Sequence, residues 1–273
     1  MTTSPAWNGI DTTVAHPARR YNYWLGGKDH FAADRESGDR IAAAYPQVVT
    51  DARANRAWMH RVAVFLAREH GVRQFIDVGV GLPVEPNLHE IVQGIDPTSR
   101  ILYVDNDRLV MVHARALLNS TPEGATEYAE VDMGDTAKVL TEAKRLLDFD
   151  QPVAVLYCAV LHFEEDDRQA YELVTRTVSE LPSGSYVAIS NFTLDGVNWW
   201  RRRKIAQLAK DRPNEDRVRP RTRTEFARFF DGLDLVKPGI RLVSDWRRDL
   251  AENGGPKRPP KAHVYGAVAR KVG

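Results

Sequence analysis

Residues 74–83 read Gln-Phe-Ile-Asp-Val-Gly-Val-Gly-Leu-Pro, and this stretch decides the fold. The run Gln74–Val80 predicts a strand, and its apolar residues are typical of a strand that is covered on both faces. Gly79 and Gly81 lie one residue apart, which lets the backbone pass close to a bound ligand. The same pair would also suit a tight strand-to-helix turn without a ligand. Pro83 removes an N–H donor and no third glycine follows it, which disfavours a dinucleotide pyrophosphate site.

Four more strand-like runs follow the first one, and helical patterns separate them. The runs are Ile101–Val104, Glu127–Val131, Val153–Val160 and Ser185–Asn191. Between them, apolar residues share a helix face at Leu109, Val112, His113, Ala116 and Leu117, at Val139, Leu140, Ala143, Leu146 and Leu147, and at Ala170, Tyr171, Val174, Val178 and Leu181. Strands that alternate with helices predict an α/β fold, in which helices cover both faces of a parallel sheet.

Capping residues and the two ends of the chain complete this pattern. Asp107 and Asp135 stand where helix N-caps are expected. Upstream of the first strand, one further helix face is formed by Trp58, Val62, Phe65 and Leu66, and Gly71 is placed to end that helix. Near the C-terminus, Leu235–Val243 and His263–Ala269 are strand-like, and a stretch rich in Gly and Pro joins them. We expect this pair to close the sheet as an antiparallel hairpin.

The composition is that of an average globular protein, since 43% of the 273 residues are hydrophobic and 27% are charged. The longest apolar run, Val153–Leu161, is far shorter than the roughly 20 residues that cross a bilayer, and residues 1–20 resemble no secretory signal. Cys158 is the single cysteine, so we expect neither a disulfide nor a metal cluster. The 38 basic and 37 acidic residues give a net charge of +1, which attracts neither nucleic acid nor membrane. We therefore expect a soluble cytoplasmic protein.

Acidic residues follow the second and third strands, at the edge where ligands bind in an open parallel sheet. Asp105 could accept both hydroxyls of a ribose, while Asp107 fits better as a helix N-cap. Asp132 could accept the exocyclic amine of an adenine, with Met133 packed on the ring. Each of these aspartates alone would also serve as a cap or turn residue. Together with the glycines of the first strand, they indicate a nucleoside site.

These motifs resemble those of a known family. Asp77-x-Gly79-x-Gly81, Asp105 and Asp132 look like the three cofactor motifs of class I S-adenosylmethionine-dependent methyltransferases. Residues 19–35 are similar to the N-terminal signature of a methyltransferase-like family that is common in actinomycetes, and residues 73–83, 103–107, 159–162 and 228–233 also match it. The resemblance implies a Rossmann-like, mostly parallel sheet of seven strands with an antiparallel last hairpin. It also implies S-adenosylmethionine as the cofactor, bound by Asp77, Gly79, Gly81, Pro83, Asp105, Asn106, Asp132, Met133 and Ala159.

The end of the fourth strand is where catalysis is expected. Methyltransferases that act on base amines or on certain glutamine amides place an Asn/Asp-Pro-Pro-aromatic turn there, and this chain has none. His162 is the one residue at this end that could act as a general base near neutral pH, and we name it as the catalytic candidate. Alternatively, its ring simply packs at the start of a helix.

Two further segments are candidates for a lid or a substrate-binding surface. The block Tyr21–Phe31 could close over the cofactor on a Gly-Gly hinge, or its aromatic residues could anchor the N-terminal segment. Trp199 and Trp200 open a stretch to Arg223 with ten basic and three acidic residues, which could contact nucleic acid or form a wall of the substrate pocket. The candidate residues of these two segments are Tyr21, Tyr23, Gly26, Gly27, Lys28, His30, Trp199 and Trp200.

We therefore predict an N-terminal helical extension or lid over residues 1–50 and a methyltransferase domain over residues 51–273, with a basic insertion on the substrate side around residues 195–232. The expected reaction is methyl transfer from S-adenosylmethionine to a small molecule. The alternatives are a non-catalytic protein that binds S-adenosylmethionine, a nucleic-acid methyltransferase and a nicotinamide-dependent oxidoreductase. The last of these lacks the glycine pattern that its cofactor requires.

Overall fold

The computed structural model describes residues 11–117, 119–210, 217–251 and 260–273. Three helices precede the first strand, namely α1 (Pro17–Leu25), α2 (Ala32–Ala44) and α3 (Val48–Glu69). The predicted domain boundary at residue 50 therefore falls within the first turn of α3. Residues 1–10 of the predicted lid, 211–216 of the basic insertion and 254–259 of the C-terminal connection lie outside the described residues.

Strands and helices then alternate, as the sequence predicts. They are β1 (Gln74–Val78), α4 (Leu88–Gln93), β2 (Arg100–Asp105), α5 (Arg108–Leu117), β3 (Ala125–Glu130), α6 (Thr136–Leu146), β4 (Ala154–Cys158), α7 (Asp167–Ser179), β5 (Tyr186–Phe192), α8 (Trp199–Lys210), α9 (Arg223–Ala227), β6 (Asp234–Leu235), β7 (Arg241–Leu242) and β8 (Val264–Arg270). The strand order is β3-β2-β1-β4-β5-β8-β6, and β7 also pairs with β8. The first five strands are parallel, and β8 runs antiparallel to β5, β6 and β7.

The described sheet has eight strands, one more than predicted. The predicted strand Leu235–Val243 is split into β6 and β7 because Pro238 and Gly239 interrupt it. Proline offers no N–H to a strand ladder, and glycine favours a turn. Both short strands pair antiparallel with β8, so the predicted antiparallel closure of the sheet is confirmed.

Two hydrophobic layers cover the sheet, one on each face. On one face, α3 buries the predicted residues Trp58, Val62, Phe65 and Leu66. On the other face, apolar residues of α6 and α7 pack against the side chains of β1, β4 and β5. Fully covered faces explain why these strands are almost continuously apolar.

Helix α5 buries a different face from the predicted one. Val112 is 46% exposed, whereas Leu109, Val110, Met111 and Ala114 are buried. The loop residue Leu82 packs on this helix, together with apolar residues of the N-terminal segment. Because α5 is covered from this second side as well as by the sheet, its buried stripe is rotated relative to the one that the spacing predicts.

Among the described residues, no helix is both long and apolar enough to cross a membrane.

Candidate active site

The carboxyl ends of β1, β2, β3 and β4 meet at one edge of the sheet, and the loop after β1 crosses this edge. The N–H groups of Gly79 and Val80 both donate to the carbonyl of Val104, at 2.8 and 3.3 Å, which holds the loop against the end of β2. Gly79 has a φ of +72°, and a Cβ atom there would lie 2.3 Å from Cγ2 of Val160. Gly79 is therefore required by the close approach of the segment after β4.

Gly81 has a different reason to be glycine. Its φ is +67°, and among the described residues the atom nearest to a Cβ placed there is the Cβ of Ala18, at 3.9 Å. Packing within the chain therefore leaves open space beside this backbone. The half-buried Pro83 follows two residues later. The loop thus offers a bare stretch of main chain at the sheet edge, as a ligand that approaches the backbone requires.

Asp105 lies at the end of β2 and is tied to the β1 loop. Its carboxylate accepts the N–H of Gly81 and the N–H of Asp107, each at 2.9 Å. The residue is 7% exposed, and burial raises the pKa of its carboxyl despite these two bonds, which favour the charged form. The sequence thus predicted correctly that Asp105 and the glycine loop lie together.

Asp107 has the role of a helix cap, as predicted. Its carboxylate accepts the N–H of Leu109 at 2.8 Å and begins α5. The sequence did not reveal its second contact, in which one carboxylate oxygen lies 3.0 Å from Nδ1 of His16. Residues just before α1 therefore lie beside the end of β2.

Asp132 and Asn106 meet across the ends of β3 and β2. The amide nitrogen of Asn106 donates to Asp132 at 2.8 Å, and the N–H of Gly134 donates to the other carboxylate oxygen at 2.9 Å. Asp132 is exposed and Met133 is half-buried. An accessible carboxylate with an apolar neighbour is the arrangement expected for a group that accepts a hydrogen bond from the amine of an adenine.

Asp77 is the most buried of the predicted cofactor residues, with 4% exposure. Burial raises the pKa of its carboxyl to about 7, although the nearby Arg56 guanidinium acts in the opposite direction. Within the described part of the chain, its carboxylate has no hydrogen-bond partner. A buried carboxyl without a donor is costly, because its charge is poorly compensated.

Arg56 is a site residue that the sequence reasoning missed. It lies on α3, and its guanidinium donates to the carbonyl of Val84 and, at 2.9 Å, to the carbonyl of Pro86. It thereby fixes the segment that follows the glycine loop. A charged residue two positions before the buried Trp58 was the available signal.

A chain of hydrogen bonds joins the N-terminal segment to the end of β4. Ala159 has a φ of +56°, and its N–H donates to Oγ of Ser190 at 2.9 Å. Ser190 donates to Asn55 at 2.6 Å, Asn55 donates to the hydroxyl of Tyr21 at 3.0 Å, and Tyr21 donates to the carbonyl of Ala52 at 2.9 Å. Asn55 and Ser190 are buried and were not predicted as site residues. This network holds Ala159, a predicted cofactor residue, in a left-handed conformation that L-residues rarely adopt.

Two other candidates of the N-terminal block, Tyr23 and His30, contact α2. The hydroxyl of Tyr23 donates to Asp39 at 2.8 Å, and the ring of His30 packs edge-on against Tyr23. Nε2 of His30 lies 3.1 Å from the carbonyl of Gly27, whereas Lys28 and Gly26 are exposed. These contacts fit an anchoring role. Only Tyr21, through its hydrogen bonds, reaches the sheet edge.

His162 lies in a short helical turn, Leu161–Phe163, beyond β4. Its side chain is buried, and Nδ1 has no hydrogen-bond partner among the residues that the structure describes. Burial, together with the neighbouring Arg221, lowers the pKa of His162 to about 3. The imidazole is therefore neutral at pH 7 and binds a proton weakly.

The aromatic pair at the start of α8 is open to solvent. Trp199 is 74% and Trp200 46% exposed, and the guanidinium of Arg201 lies 5.0 Å from the centre of the Trp200 ring. Helix α8 packs against α2. The two tryptophans do not join the other site candidates at the strand ends.

A mostly parallel sheet with an antiparallel β8, and acidic and glycine residues at the ends of its first three strands, define the class I methyltransferase fold. The chain belongs to the S-adenosyl methyltransferase family, whose model matches residues 3–272. It is therefore an S-adenosylmethionine-dependent methyltransferase, and S-adenosylmethionine is its cofactor. This confirms the family, the fold class and the cofactor that the sequence indicates.

Two crystal structures are similar over nearly the whole chain. A DUF574-family protein from Streptomyces avermitilis MA-4680 is 43% identical, with 96% of this chain and 99% of that chain covered and a TM-score of 0.86. A candidate methyltransferase from Thermobifida fusca YX is 32% identical, with 97% and 98% covered and a TM-score of 0.85. Among curated proteins, none matches the chain.

Proposed function

We propose that the chain methylates a small molecule and that its cofactor lies across the carboxyl ends of β1 to β4. The observation that carries this proposal is the position of Asp105. Its carboxylate ends β2 and accepts the N–H of Gly81 from the neighbouring loop. A carboxylate has about four lone-pair positions, and the two backbone N–H groups use two of them. The remaining positions suit the two hydroxyls of a ribose.

The other predicted residues supply complementary chemistry. In this proposal, Asp132 accepts the adenine amine and Met133 packs on the ring, with Asn106 orienting Asp132. The loop from Gly79 to Pro83 and the backbone of Ala159 approach the cofactor without side chains between. When bound, the cofactor supplies an electrophilic methyl group on a positively charged sulfur.

We assign to Asp77 the role of balancing the positive charge of the cofactor. Its carboxyl is buried without a hydrogen-bond donor among the described residues, and burial raises its pKa to about 7. A cation placed beside it would favour the charged form and lower this pKa. Binding would then release a proton whenever the free protein holds one on Asp77.

The N-terminal segment covers the cofactor loop in this proposal. Ala18 is the described residue nearest to the open side of Gly81, at 3.9 Å from a Cβ placed there. The segment would exclude water from the methyl group, and Tyr21 would couple its position to Ala159 through the hydrogen-bond chain described above.

His162 has a limited role in this scheme. A general base works best with a pKa near the working pH, and burial beside Arg221 lowers the pKa of His162 to about 3. Its Nδ1 has no hydrogen-bond partner among the described residues and is closed to solvent. We therefore propose that the ring of His162 packs at the start of this turn and does not take the proton of the methyl acceptor.

Calorimetric titration with S-adenosylmethionine and its demethylated product tests the cofactor site, with NAD as the control. We expect both methionine nucleosides to bind and to raise the melting temperature, because they bind only the folded state, and we expect NAD to do neither. Methyl-labelled S-adenosylmethionine, incubated with an ultrafiltered metabolite extract, tests transfer. Label in a small-molecule product supports the proposal, whereas binding without transfer indicates a non-catalytic binding protein.

Nucleic acid is a second candidate acceptor because Trp199 and Trp200 are exposed beside a basic helix surface, Arg201–Lys204. Such a surface binds phosphates with steep salt dependence. We expect a labelled oligonucleotide to bind weakly and to receive no methyl group. Tight binding that falls steeply with salt, together with labelled oligonucleotide, would favour this second candidate.

A further inference from the structure

Three polar side chains form a closed cluster between α2, α3 and β8. The hydroxyl of Tyr45 lies 2.6 Å from Oδ2 of Asp51 and 2.9 Å from Nδ1 of His263. The other oxygen of Asp51 accepts the backbone N–H of His263 at 2.9 Å. Tyr45 and Asp51 are buried, and His263 is half-buried. Neither the cofactor motifs nor the predicted catalytic residue includes any of them.

The hydrogen bonds of this cluster fix the tautomer of His263. A carboxylate only accepts hydrogen bonds, so the single proton of the Tyr45 hydroxyl must point to Asp51. The hydroxyl oxygen can then only accept from His263, which places the histidine proton on Nδ1. Nε2 is left with its lone pair, and no described residue bonds to it. The arrangement presents a free base at Nε2.

The cluster lies at the same edge of the sheet as the candidate cofactor site. Because β8 runs antiparallel to β5, its beginning lies beside the end of β5, and the N–H of Thr193 donates to the carbonyl of His263 at 2.9 Å. Asp51 is one helical turn before Asn55 on α3, so the two side chains share a face about 6 Å apart. Asn55 reaches Ala159 through Ser190. Asp51, which accepts the N–H of His263, is thus one helical turn from the network at the end of β4.

We propose that His263 accepts the proton of the methyl acceptor and that Tyr45 and Asp51 position it for this step. The inference rests on the proposed function, since it names the base of that reaction. The acceptor's O–H or N–H gives its proton to Nε2 while the acceptor lone pair forms the bond to the methyl carbon. The electron pair of the broken S–CH₃ bond stays on sulfur, which becomes a neutral thioether. The imidazolium then returns its proton to water.

Burial and the charged groups around the cluster keep His263 neutral. Burial lowers its pKa, and Lys261 and Arg201 lower it further, so the base form prevails at pH 7. Asp51 is the acidic member of the cluster. Burial raises its pKa to about 6, and the hydrogen bonds from Tyr45 and His263 oppose this rise. Asp51 is thus mainly charged at pH 7, which favours Nδ1–H on His263 through Tyr45.

The same contacts would also serve as a structural link between α3 and β8, so the test needs a readout that such a link would not change. The pair Tyr186 and His70 supplies the control. The hydroxyl of Tyr186 lies 2.9 Å from Nδ1 of His70, near the start of β5 and away from the site. No described carboxylate takes the proton of Tyr186, so this hydroxyl can donate to Nδ1, and His70 should carry its proton on Nε2.

The first experiment is a two-bond ¹H–¹⁵N NMR correlation of the full chain with ¹⁵N-labelled histidine, with peaks assigned through His263→Gln and His70→Gln. We expect the Nδ1–H tautomer for His263 and the Nε2–H tautomer for His70. In Tyr45→Phe the ring remains to pack on Phe192, and His263 should lose its Nδ1–H preference. An Nε2–H tautomer in the wild type would overturn the inference.

The second experiment is methyl transfer into the metabolite extract across pH 5 to 9. We expect His263→Gln to lower the rate by about 10²–10⁴, the usual contribution of a general base, with cofactor affinity unchanged. Tyr45→Phe should lower the rate less, and Tyr186→Phe should leave it unchanged. Transfer that His263→Gln leaves intact would overturn the inference while the proposed function stands. If the wild type labels no small molecule, the proposed function fails, and the inference fails with it.

Discussion

Replacing Asp105 with asparagine tests the candidate cofactor site most directly. Asparagine has nearly the shape of aspartate, so the packing at the end of β2 should be retained, although one of the two backbone hydrogen bonds of Asp105 is lost. Asparagine lacks the negative charge, however. The carboxylate of Asp105 accepts the backbone N–H groups of Gly81 and Asp107, and the amide nitrogen of asparagine would face one of these two donors. The substitution therefore removes the charge that the proposed ribose contact requires.

The expected loss follows from the strength of charge-assisted hydrogen bonds. A hydrogen bond to a charged group contributes about 1.5–3 kcal/mol and a neutral one about 0.5–1.5 kcal/mol. If both ribose hydroxyls bond to Asp105, the substitution would reduce the binding free energy of S-adenosylmethionine by about 2 kcal/mol in total. This loss weakens binding by about thirtyfold. Isothermal titration calorimetry at pH 7.5 measures this affinity, and urea unfolding measures the stability of the same variant.

Asp107→Asn is the matched control, since it makes the same chemical change two residues further on. Asparagine caps helices as well as aspartate does, so the bond to the N–H of Leu109 can be retained. We expect its affinity to stay within about twofold of the wild type, which is less than 0.5 kcal/mol. If Asp107→Asn weakens binding and Asp105→Asn does not, the wrong aspartate has been assigned to the ribose. If neither does, the cofactor ribose does not bind at the end of β2.

Three further predictions concern residues around this site. Gly79→Ala should destabilise the fold by about 2 kcal/mol more than Gly71→Ala in urea unfolding. Both positions have a positive φ, but of the two only a Cβ at Gly79 meets another residue. Equal losses of stability in the two variants would contradict this. Asp77→Asn should stabilise the cofactor-free protein above pH 7 by on the order of 4 kcal/mol while weakening cofactor binding. The wild-type carboxyl has a pKa of about 7 in the fold against 3.8 unfolded, so the gain should grow as the pH rises from about 4 to about 7 and vanish below; a gain that is independent of pH would show that burial of Asp77 is not its cause. Ser190→Ala should cost about 1–3 kcal/mol of stability, because it leaves buried hydrogen-bonding groups on both sides of Ser190 without a partner, and thermal unfolding close to that of the wild type would contradict it.

Regular patterns in the sequence were sufficient for the architecture. The alternating runs from Gln74 to Asn191 predicted five parallel strands, and the motifs placed Gly81 and Asp105 at the same edge of the sheet, where the N–H of Gly81 donates to Asp105 at 2.9 Å. The rotated face of α5 was not predictable from its own spacing, because the cover comes from Leu82 and the N-terminal segment, which are distant in sequence. The spacing of apolar residues predicts a helix, but it does not show which distant segments will cover that helix.

The residues that the sequence reasoning missed share one property, which is that they bond across long sequence separations. Ser190 reaches Asn55 over 135 positions, and His263 reaches Asp51 over 212. No spacing rule connects such pairs. The available signal was weaker. It consisted of polar residues within the apolar pattern of α3, and such residues on an amphipathic helix are normally assigned to the solvent-exposed face. Only the fold shows that Asp51 and Asn55 are buried.

The length of α3 explains why these polar residues occupy its first half. The helix has 22 residues and spans about 33 Å, whereas β1 has five residues and spans about 17 Å. A helix twice as long as the strand must extend beyond the sheet. Trp58, at the middle of the helix, and Phe65 and Leu66, in its second half, pack over the hydrophobic face. Its first half carries Asp51, which bonds to the start of β8, and Asn55, which bonds to Ser190 near the carboxyl edge.

The overhanging half of α3 connects three parts of the candidate active site. Asp51 belongs to the cluster with His263, Asn55 to the chain that ends at Ala159, and Arg56 to the segment after the glycine loop. The N-terminal segment joins through Tyr21, which bonds to Asn55. The division at residue 50 that the sequence suggests would separate this segment from its anchor, although the hydrogen bonds run across it. In the proposed function, the helical extension and the sheet edge therefore form one site, in which α3 links the cofactor loop to the proposed base.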